Sequence, residues 1–586
     1  MTTTPLVLGP MLRYVDETSA SIWVETGEAA SVVVRSGHES WTARTFAVHG
    51  HHYALVEVTG LQPGSGTAYT VEIDGRQVWP DLSQGPELTF PASVITTRAE
   101  GEPLRLAFGS CRTSIPHTKE GNRTHGVDAM RAYALSMADD AAFPRPDLIL
   151  FLGDQVYADS TSKEMQQFIA ARRDIREDPG AELKDYEEYA HLYSLAWSDN
   201  ANRWLLSTLP SAMIFDDHDI RDDWNASTSW KQEMEATSWW QDRIVAGLAS
   251  YWVYQHLGNL SPERRAEDEI WQRIVNHHDD DELDLSEELD AFADRADKDP
   301  ASYRWSYFRD FDDTRLIVVD SRVARVLTPD ARALLNEEET AWLDSKMVGG
   351  FRHLLVGTSL PFLLPLGLHH IESWDEALAQ GAWGKAGALL GEKLRQGMDL
   401  EHWAAFQNSF HDVALMATEV ADGKRGPAPE TVTFLSGDVH FSYVSEVDRP
   451  SGSRILQAVC SPIRNPLPRL LRSSTAILSY GFAAPVGALV ARSVKVPDPP
   501  FRWRNIRGPW FDNNLAGLEG GPEGLRLWWQ TGTVDDGDHL HPRLEEVAAM
   551  TVPPRRTRKD EPGGEVVPEA ALRDRRTAWA RRGRRQ

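Results

Sequence analysis

Between Leu6 and about Pro91 the chain alternates short apolar and polar positions, as in Ser21-Ile22-Trp23-Val24-Glu25 and Ser31-Val32-Val33-Val34, with Gly, Asp and Ser at the breaks. Period-two alternation over short runs predicts half-buried strands, and the regular turn signals predict a small all-β sandwich over residues 1–95. After Pro103 the texture changes. Six apolar runs, at 104–108, 147–152, 212–215, 316–319, 353–356 and 432–435, end abruptly in polar residues. Short runs rich in Val, Ile, Leu and Phe suit strands buried on both faces. Helical patterns separate them, one read over 399–406 with Asp399 as its N-cap. Strand–helix repetition predicts a largely parallel or mixed α/β domain over 100–550.

The segment at about 161–300 breaks this rhythm with helical patterns and an acidic run, His277-His278-Asp279-Asp280-Asp281-Glu282. It lacks the ligand spacing of a calcium loop, so it reads as a solvated insertion. From Arg555 onward eleven Lys or Arg face five Asp or Glu, and residues 551–586 read as a basic, flexible tail. In the N-terminal part, Val58-Thr59-Gly60-Leu61-Gln62-Pro63-Gly64 followed by Tyr69-Thr70-Val71 resembles the corner of immunoglobulin-like or fibronectin-like sandwiches. There a Tyr hydroxyl bonds back to nearby backbone, so Tyr69 is expected to be structural.

The 586 residues exceed the length at which single cores stop growing, so more than one compact unit is expected. Hydrophobic and charged fractions of 41% and 25% are those of ordinary soluble domains. A formal net charge of -26 works against nucleic-acid binding, although bound cations in a pocket would still attract phosphate. Two cysteines, Cys111 and Cys460, make no disulfide framework. No leader pattern and no run of ~20 apolar residues occurs, so the expectation is a cytoplasmic protein without a membrane partner. Oligomeric state leaves no signal.

Four of the six runs deliver ligand-type residues at or just beyond their C-terminal ends, the edge at which open α/β sheets build sites. Asp154, in Gly153-Asp154-Gln155-Val156-Tyr157, is suited to bridge two cations, with Tyr157 turning back to the same side. In Asp216-Asp217-His218-Asp219, carboxylates flanking a His repel one another unless a cation is present. Asp217 reads as a ligand and His218 as proton donor or charge stabiliser, oriented by Asp219, with Arg221 and 222–225 lining the entrance. Ser436-Gly437-Asp438-Val439-His440 puts two ligand types two residues apart. Cys111, in Phe108-Gly109-Ser110-Cys111-Arg112, reads as a thiolate ligand by position, against the alternative of a small buried hydrophobe. There is no Gly-x-Ser-x-Gly elbow and no Gly-x-x-x-x-Gly-Lys loop.

Together these four motifs resemble the alkaline phosphatase D-like (PhoD-like) metallophosphatases over roughly residues 104 to 530, with weaker echoes at Trp342-Leu343, Ser461-Pro462 and Asp512-Asn513-Asn514. The resemblance implies a four-layer calcineurin-like metallophosphoesterase core, two packed mixed sheets flanked by helices, behind the small sandwich. It also implies an iron(III) and calcium centre, other divalent metals being compatible, that hydrolyses small-molecule or polymeric phosphate monoesters or diesters. By motif match Cys111, Asp154, Tyr157 and His440 hold the iron, while Asp154, Asp217 and Asp438 hold the calcium. His218, Asp219 and Arg221 are the expected catalytic group. The twin-arginine export signal of secreted members is missing, and the acidic insertion and basic tail are not typical of the family. Two other readings stand beside this one: a non-catalytic, metal-stabilised binding protein, and a metal-dependent hydrolase of a carboxylic ester or amide.

Overall fold

The computed structural model describes residues 5–81, 90–328, 331–467 and 483–554; of the tail read over 551–586, residues 551 and 552 end the strand Arg543–Val552, and the part from residue 555 on lies outside the described residues. The N-terminal strands form two sheets. Leu6–Val15, Ser19–Thr26, Phe46–Val48 and His51–Thr59 make one, and Ser31–Ser36, Glu39–Arg44, Thr70–Ile73 and Arg76–Trp79 the other. Ile22, Val24, Val56 and Val58 of the first share one buried cluster with Val32, Val34, Val71 and Ile73 of the second, which is the inward half of each alternating run.

Two expectations for this region change. The Tyr69 hydroxyl bonds no nearby backbone; it donates to Ser207 O, 2.5 Å away and 138 residues on, and so ties the sandwich to the rest of the chain. The acidic run is tethered as well as solvated. Leu283–Asp284 adds to the first sheet in parallel with Phe46 and Ala47, and the Arg44 guanidinium donates to the carbonyls of Asp279 and Asp280 at 2.5 Å each.

All six apolar runs form strands, divided equally between two sheets. Arg105–Gly109, Leu148–Leu152 and Ser211–Ile214 run parallel in a six-stranded sheet, which Leu515–Gly521 continues in antiparallel sense. Thr314–Val319, His353–Thr358 and Thr431–Ser436 run parallel in a seven-stranded sheet with antiparallel edges such as Tyr307–Phe311. The fold is therefore mixed α/β. Leu148, Leu150 and Leu152 meet Leu316, Val318, Leu355 and Leu435 in a cluster shared by both sheets. The alternate residues Ile149 and Phe151 join the cluster of Met130, Leu192 and Trp204, and Ile317 and Val319 that of Leu343, Phe410 and Val413. Each strand thus buries both faces, one against a sheet and one against helices.

The helical segment at 161–300 is split by the core strand Ser211–Ile214, so it comprises two insertions. Asp399 is not an N-cap. It closes helix Gly384–Met398 in the left-handed region at φ 49°, its N–H bonded to Arg395 O, and the next α-helix begins at Gln407. Among the described residues no helix is long and apolar enough to cross a membrane.

Candidate metal centre

The ends of four strands meet in one crevice. Cys111 follows Arg105–Gly109, Asp154 follows Leu148–Leu152, Asp216 and Asp217 follow Ser211–Ile214, and Asp438 and His440 follow Thr431–Ser436. The two sheets are joined there by the Asp438 N–H, which donates to Ser110 Oγ at 3.1 Å. Cys111, Asp154 and His440 offer ligand atoms within 4.8 Å of one another, and so do Asp154, Asp216, Asp217 and Asp438. Asp154 belongs to both groups. The Tyr157 hydroxyl donates to Asp154 Oδ2 at 3.3 Å, and its ring lies 4.7 Å from that of His218.

The backbone is strained at these positions. Cys111, Asp154, Asp438 and His440 have φ of 57°, 50°, 64° and 56°, a region L-residues enter at a cost on the order of 1 kcal/mol each. Two glycines allow the close approach. A Cβ on Gly437 would stand 1.9 Å from Ser110 Oγ, and one on Gly153, itself at φ 98°, 2.6 Å from Asp216 Cβ.

Charge is concentrated and incompletely compensated. Asp154 Oδ1, Asp216 Oδ2 and Asp217 Oδ1 are buried and accept no hydrogen bond. Burial pushes the Asp154 carboxyl well above its ordinary range, with Asp216, Asp217 and Asp219 adding to it against the charge of His218. Burial likewise raises Asp216, against the opposing charge of Arg322. The guanidinium of Arg322, fully buried, sits 2.5 Å from Asp216 Oδ1 and from Glu401 Oε1. Its Nη2 lies 3.0 Å from Asp217 Oδ1, an ion-pair distance without hydrogen-bond alignment. Asp438 is the exception. Burial would raise it, but the hydrogen bond and charge of His402, with the charge of Arg322, hold it at about 2. His402 reaches Asp438 Oδ2 with Nε2 at 2.8 Å and Glu372 Oε1 with Nδ1 at 2.7 Å.

This donor set fits cations. Four crowded carboxylates, three of them with an unfilled buried acceptor, match a hard, oxygen-seeking ion, and the thiol, phenol and imidazole of Cys111, Tyr157 and His440 beside Asp154 match a transition metal. Burial pushes the Cys111 thiol well up, reinforced by Asp154 and Asp438, and pushes the Tyr157 hydroxyl up, reinforced by Cys111 and Asp154. Both groups need a cation beside them to ionise.

The structure brings six expected ligands together but redistributes the expected catalytic group. Asp219 does not orient His218. One Asp219 oxygen accepts from the N–H groups of Asp154 and Asp216, and the other from Gln255 Nε2, so this carboxyl braces the two ligand loops. His218 Nδ1 instead bonds Asp159, at 2.9 and 3.0 Å to its two oxygens. Arg221 turns away toward Glu182 Oε2 at 3.2 Å, Met234 Sδ at 2.6 Å and the Trp239 ring. Asp159, Arg322, Glu401 and His402 were missed by sequence reasoning. Arg322 lies three residues beyond Thr314–Val319, so the same strand-end rule would have found it. Asp159 follows Tyr157 by two. His402 precedes a 3-10 turn and carries no such signal.

Fold and site together define a mixed α/β protein with a strand-end crevice suited to two cations. Residues 107–278 match the family model described as PhoD-like phosphatase, in agreement with the motifs of that span. That span includes Cys111, Asp154, Tyr157 and Asp216–Asp219; Asp438 and His440 join it through the fold. Residues 3–95 match a model described as a domain of unknown function, DUF7800. A solved structure described as PhoD is similar to the chain, with a TM-score of 0.57 and 14% identity over 99% of this chain and 98% of that one. A Plasmodium structure described as GAP50, the anchor in the inner membrane complex, aligns with a TM-score of 0.33 and 8% identity over 80% of this chain and 98% of that one. None of the curated proteins matches the sequence.

Proposed function

We propose that the protein is a metal-dependent phosphoesterase, with a sandwich domain over 1–95 and a four-layer calcineurin-like catalytic domain over 100–550. Cys111, Asp154, Tyr157 and His440 hold one ion, iron(III) by family resemblance. Asp154, Asp217 and Asp438 hold the other, calcium by the same resemblance, with Asp216 alongside. The observation that carries this reading is the double membership of Asp154 in two close ligand sets. When bound, the ions supply Lewis acidity that activates water and neutralises phosphoryl charge.

The chain's own residues do the rest. Asp159, held at about 2 by the charge and hydrogen bond of His218 despite its burial, is ionised and can only accept. His218 Nδ1–H therefore donates to it, and Nε2 is left as the atom that protonates the departing oxygen. Arg322 spans Asp216 and Asp217 and keeps their carboxylates in place. His402 keeps Asp438 ionised and fixes its outer oxygen.

The test is elemental analysis of the purified protein combined with a panel of phosphate monoesters and diesters, carboxylic esters and amides. Two bound metals per chain with phosphoester turnover support the reading. Metals without turnover on any ester would favour a binding protein, and turnover confined to carboxylic esters or amides would favour the other hydrolase class.

A further inference from the structure

Helix Trp240–Tyr251 does not run on as an α-helix. It widens into one π-helical turn, Trp252–His256, and then tightens into a 3-10 turn, Leu257–Asn259, with every residue of both turns buried. Single π-helical turns are rare and recur at functional sites. Here two consecutive residues of the turn leave it toward different parts of the molecule. The Tyr254 hydroxyl donates to Glu25 Oε2 at 3.0 Å, on the sandwich strand Ser19–Thr26. Gln255 Nε2 donates to Asp219 Oδ1 at 3.2 Å, and the other Asp219 oxygen accepts from the N–H groups of Asp154 and Asp216. One turn therefore connects the sandwich to the candidate metal centre.

The turn is gripped by Arg13, a fully buried residue of the sandwich strand Leu6–Val15. Its Nη1 donates to Tyr254 O at 2.7 Å, and its Nη2 to Gln255 O at 2.6 Å and to Asn259 Oδ1 at 3.3 Å. Its Nε donates to Ser211 O at 3.4 Å, where the strand that delivers Asp216 and Asp217 begins. Asn259 pairs with both backbone groups of Met213 in that strand, donating from Nδ2 to Met213 O at 2.7 Å and accepting the Met213 N–H at 2.9 Å. Gly258 makes the room, since a Cβ there would stand 2.6 Å from Arg13 Cζ. The four acceptors of Arg13 are all carbonyl oxygens, with no carboxylate among them. A charge buried without a countercharge is a poor source of stability. What the planar fork supplies is geometry, because its donors span two carbonyls of the turn and the side chain that anchors the turn to the strand.

Taking the metal centre as proposed above, we infer from this arrangement that Arg13 and Gln255 are positioning residues for it. Arg13 sets the π-helical turn against strand Ser211–Ile214, and the turn aims Gln255 at Asp219. Asp219 in turn holds the N–H groups of Asp154 and Asp216, and with them the spacing of the carboxylates that receive the ions. The sandwich is thereby part of the catalytic scaffold, because it supplies the guanidinium at one end of this path.

The experiment follows release of metal from the purified full chain into excess EDTA by elemental analysis, with melting temperature and steady-state kinetics on an aryl phosphodiester alongside. The variants are Arg13→Met, Gln255→Leu, their combination, and Val34→Ala, a core change in the other sheet of the sandwich. The expected result is release about tenfold faster or more in each of the first two, with kcat lowered and KM unchanged. The double variant should be no faster than the singles, because both act along one path. Val34→Ala should lower the melting temperature and release metal at the parent rate. Release at the parent rate in Arg13→Met, additive effects in the double variant, or acceleration in Val34→Ala equal to that in Arg13→Met overturns the inference. Gly258→Ala displaces the guanidinium without removing a hydrogen-bonding side chain and is expected to match Arg13→Met. It decides the question where Arg13→Met does not fold, and failure of both to fold also overturns the inference, since holding the fold would then be the whole role. A parent chain that holds no metal is a different result: it overturns the proposed centre itself, and the positioning roles with it.

Discussion

His218 Nδ1 lies 2.9 Å from a carboxylate oxygen of Asp159, while Asp219, its neighbour in sequence, faces the opposite way into backbone N–H groups. The two carboxyls therefore have separable effects. Asp159→Asn is expected to lower kcat about 10- to 100-fold with both metals retained, as loss of a group that orients a working imidazole does elsewhere. His218→Ala is expected to lose on the order of 10² to 10⁴ in turnover, again with metal content kept. Steady-state kinetics paired with elemental analysis checks both; an unaltered kcat in His218→Ala would remove it from the mechanism.

Asp154→Asn is expected to lose both ions together, because the same carboxyl belongs to both ligand sets. Cys111→Ser is expected to lower the transition-metal content alone and to shift any phenolate-to-metal absorption contributed by Tyr157. Elemental analysis and visible spectroscopy of the purified variants read both outcomes, and retention of both ions in Asp154→Asn would rule out a bridge.

Gly437→Ala introduces a Cβ 1.9 Å from Ser110 Oγ and 2.2 Å from Ser110 Cβ. Relief requires the loop bearing Asp438 and His440 to move, at about 1 to 3 kcal/mol for an overpacked site. The melting temperature and metal content should both fall, and adding Ser110→Gly should restore part of each. Independent, additive effects in the double variant would show that the two positions do not touch.

The contact between the sandwich and the larger domain carries a pH dependence. His51 donates from Nδ1 to Glu25 at 3.0 Å and from Nε2 to Glu187, on helix Tyr186–Trp197, at 2.9 Å. Burial would lower its pKa, but the two hydrogen bonds and charges raise it to about 9. The folded value lies above the unfolded one of about 6.5, so the contribution is complete below pH ~6.5 and is lost as pH rises through about 9. It amounts to about 1 to 2 kcal/mol after allowance for the half-exposed Glu187. Thermal melts between these pH values should fall in the parent and flatten in His51→Gln; equal slopes would contradict the assignment.

Much of the fold was legible because the signals are local. A strand alternates its faces every residue, so the run Leu148-Ile149-Leu150-Phe151-Leu152 already says that both faces are buried, and the polar residue after it says where the strand ends. Asp154 and Asp438 were singled out by that rule, and Asp217 also by the repulsion of the carboxylates around it. Asp159, Glu401 and His402 were not, because their partners His218, Arg322 and Asp438 lie 59, 79 and 36 residues away and nothing in a neighbouring tetrapeptide records such a pairing. Asp399 misled for a related reason: an Asp before an apolar stretch satisfies the capping pattern, yet here the chain closes a helix at that residue in the left-handed region.

By itself the sequence determined the strand set, the edge at which the polar clusters emerge and the chemical types of the ligands, since these follow from the period of hydrophobic burial and from the donors each residue carries. Only the tertiary structure decided which carboxyl serves which partner. Packing two sheets brings Ser110 against Gly437 and Asp438, 328 residues apart in the last case, and forces Cys111, Asp154, Asp438 and His440 into positive φ so that their side chains converge. That convergence is a property of two surfaces meeting, and no single strand encodes it.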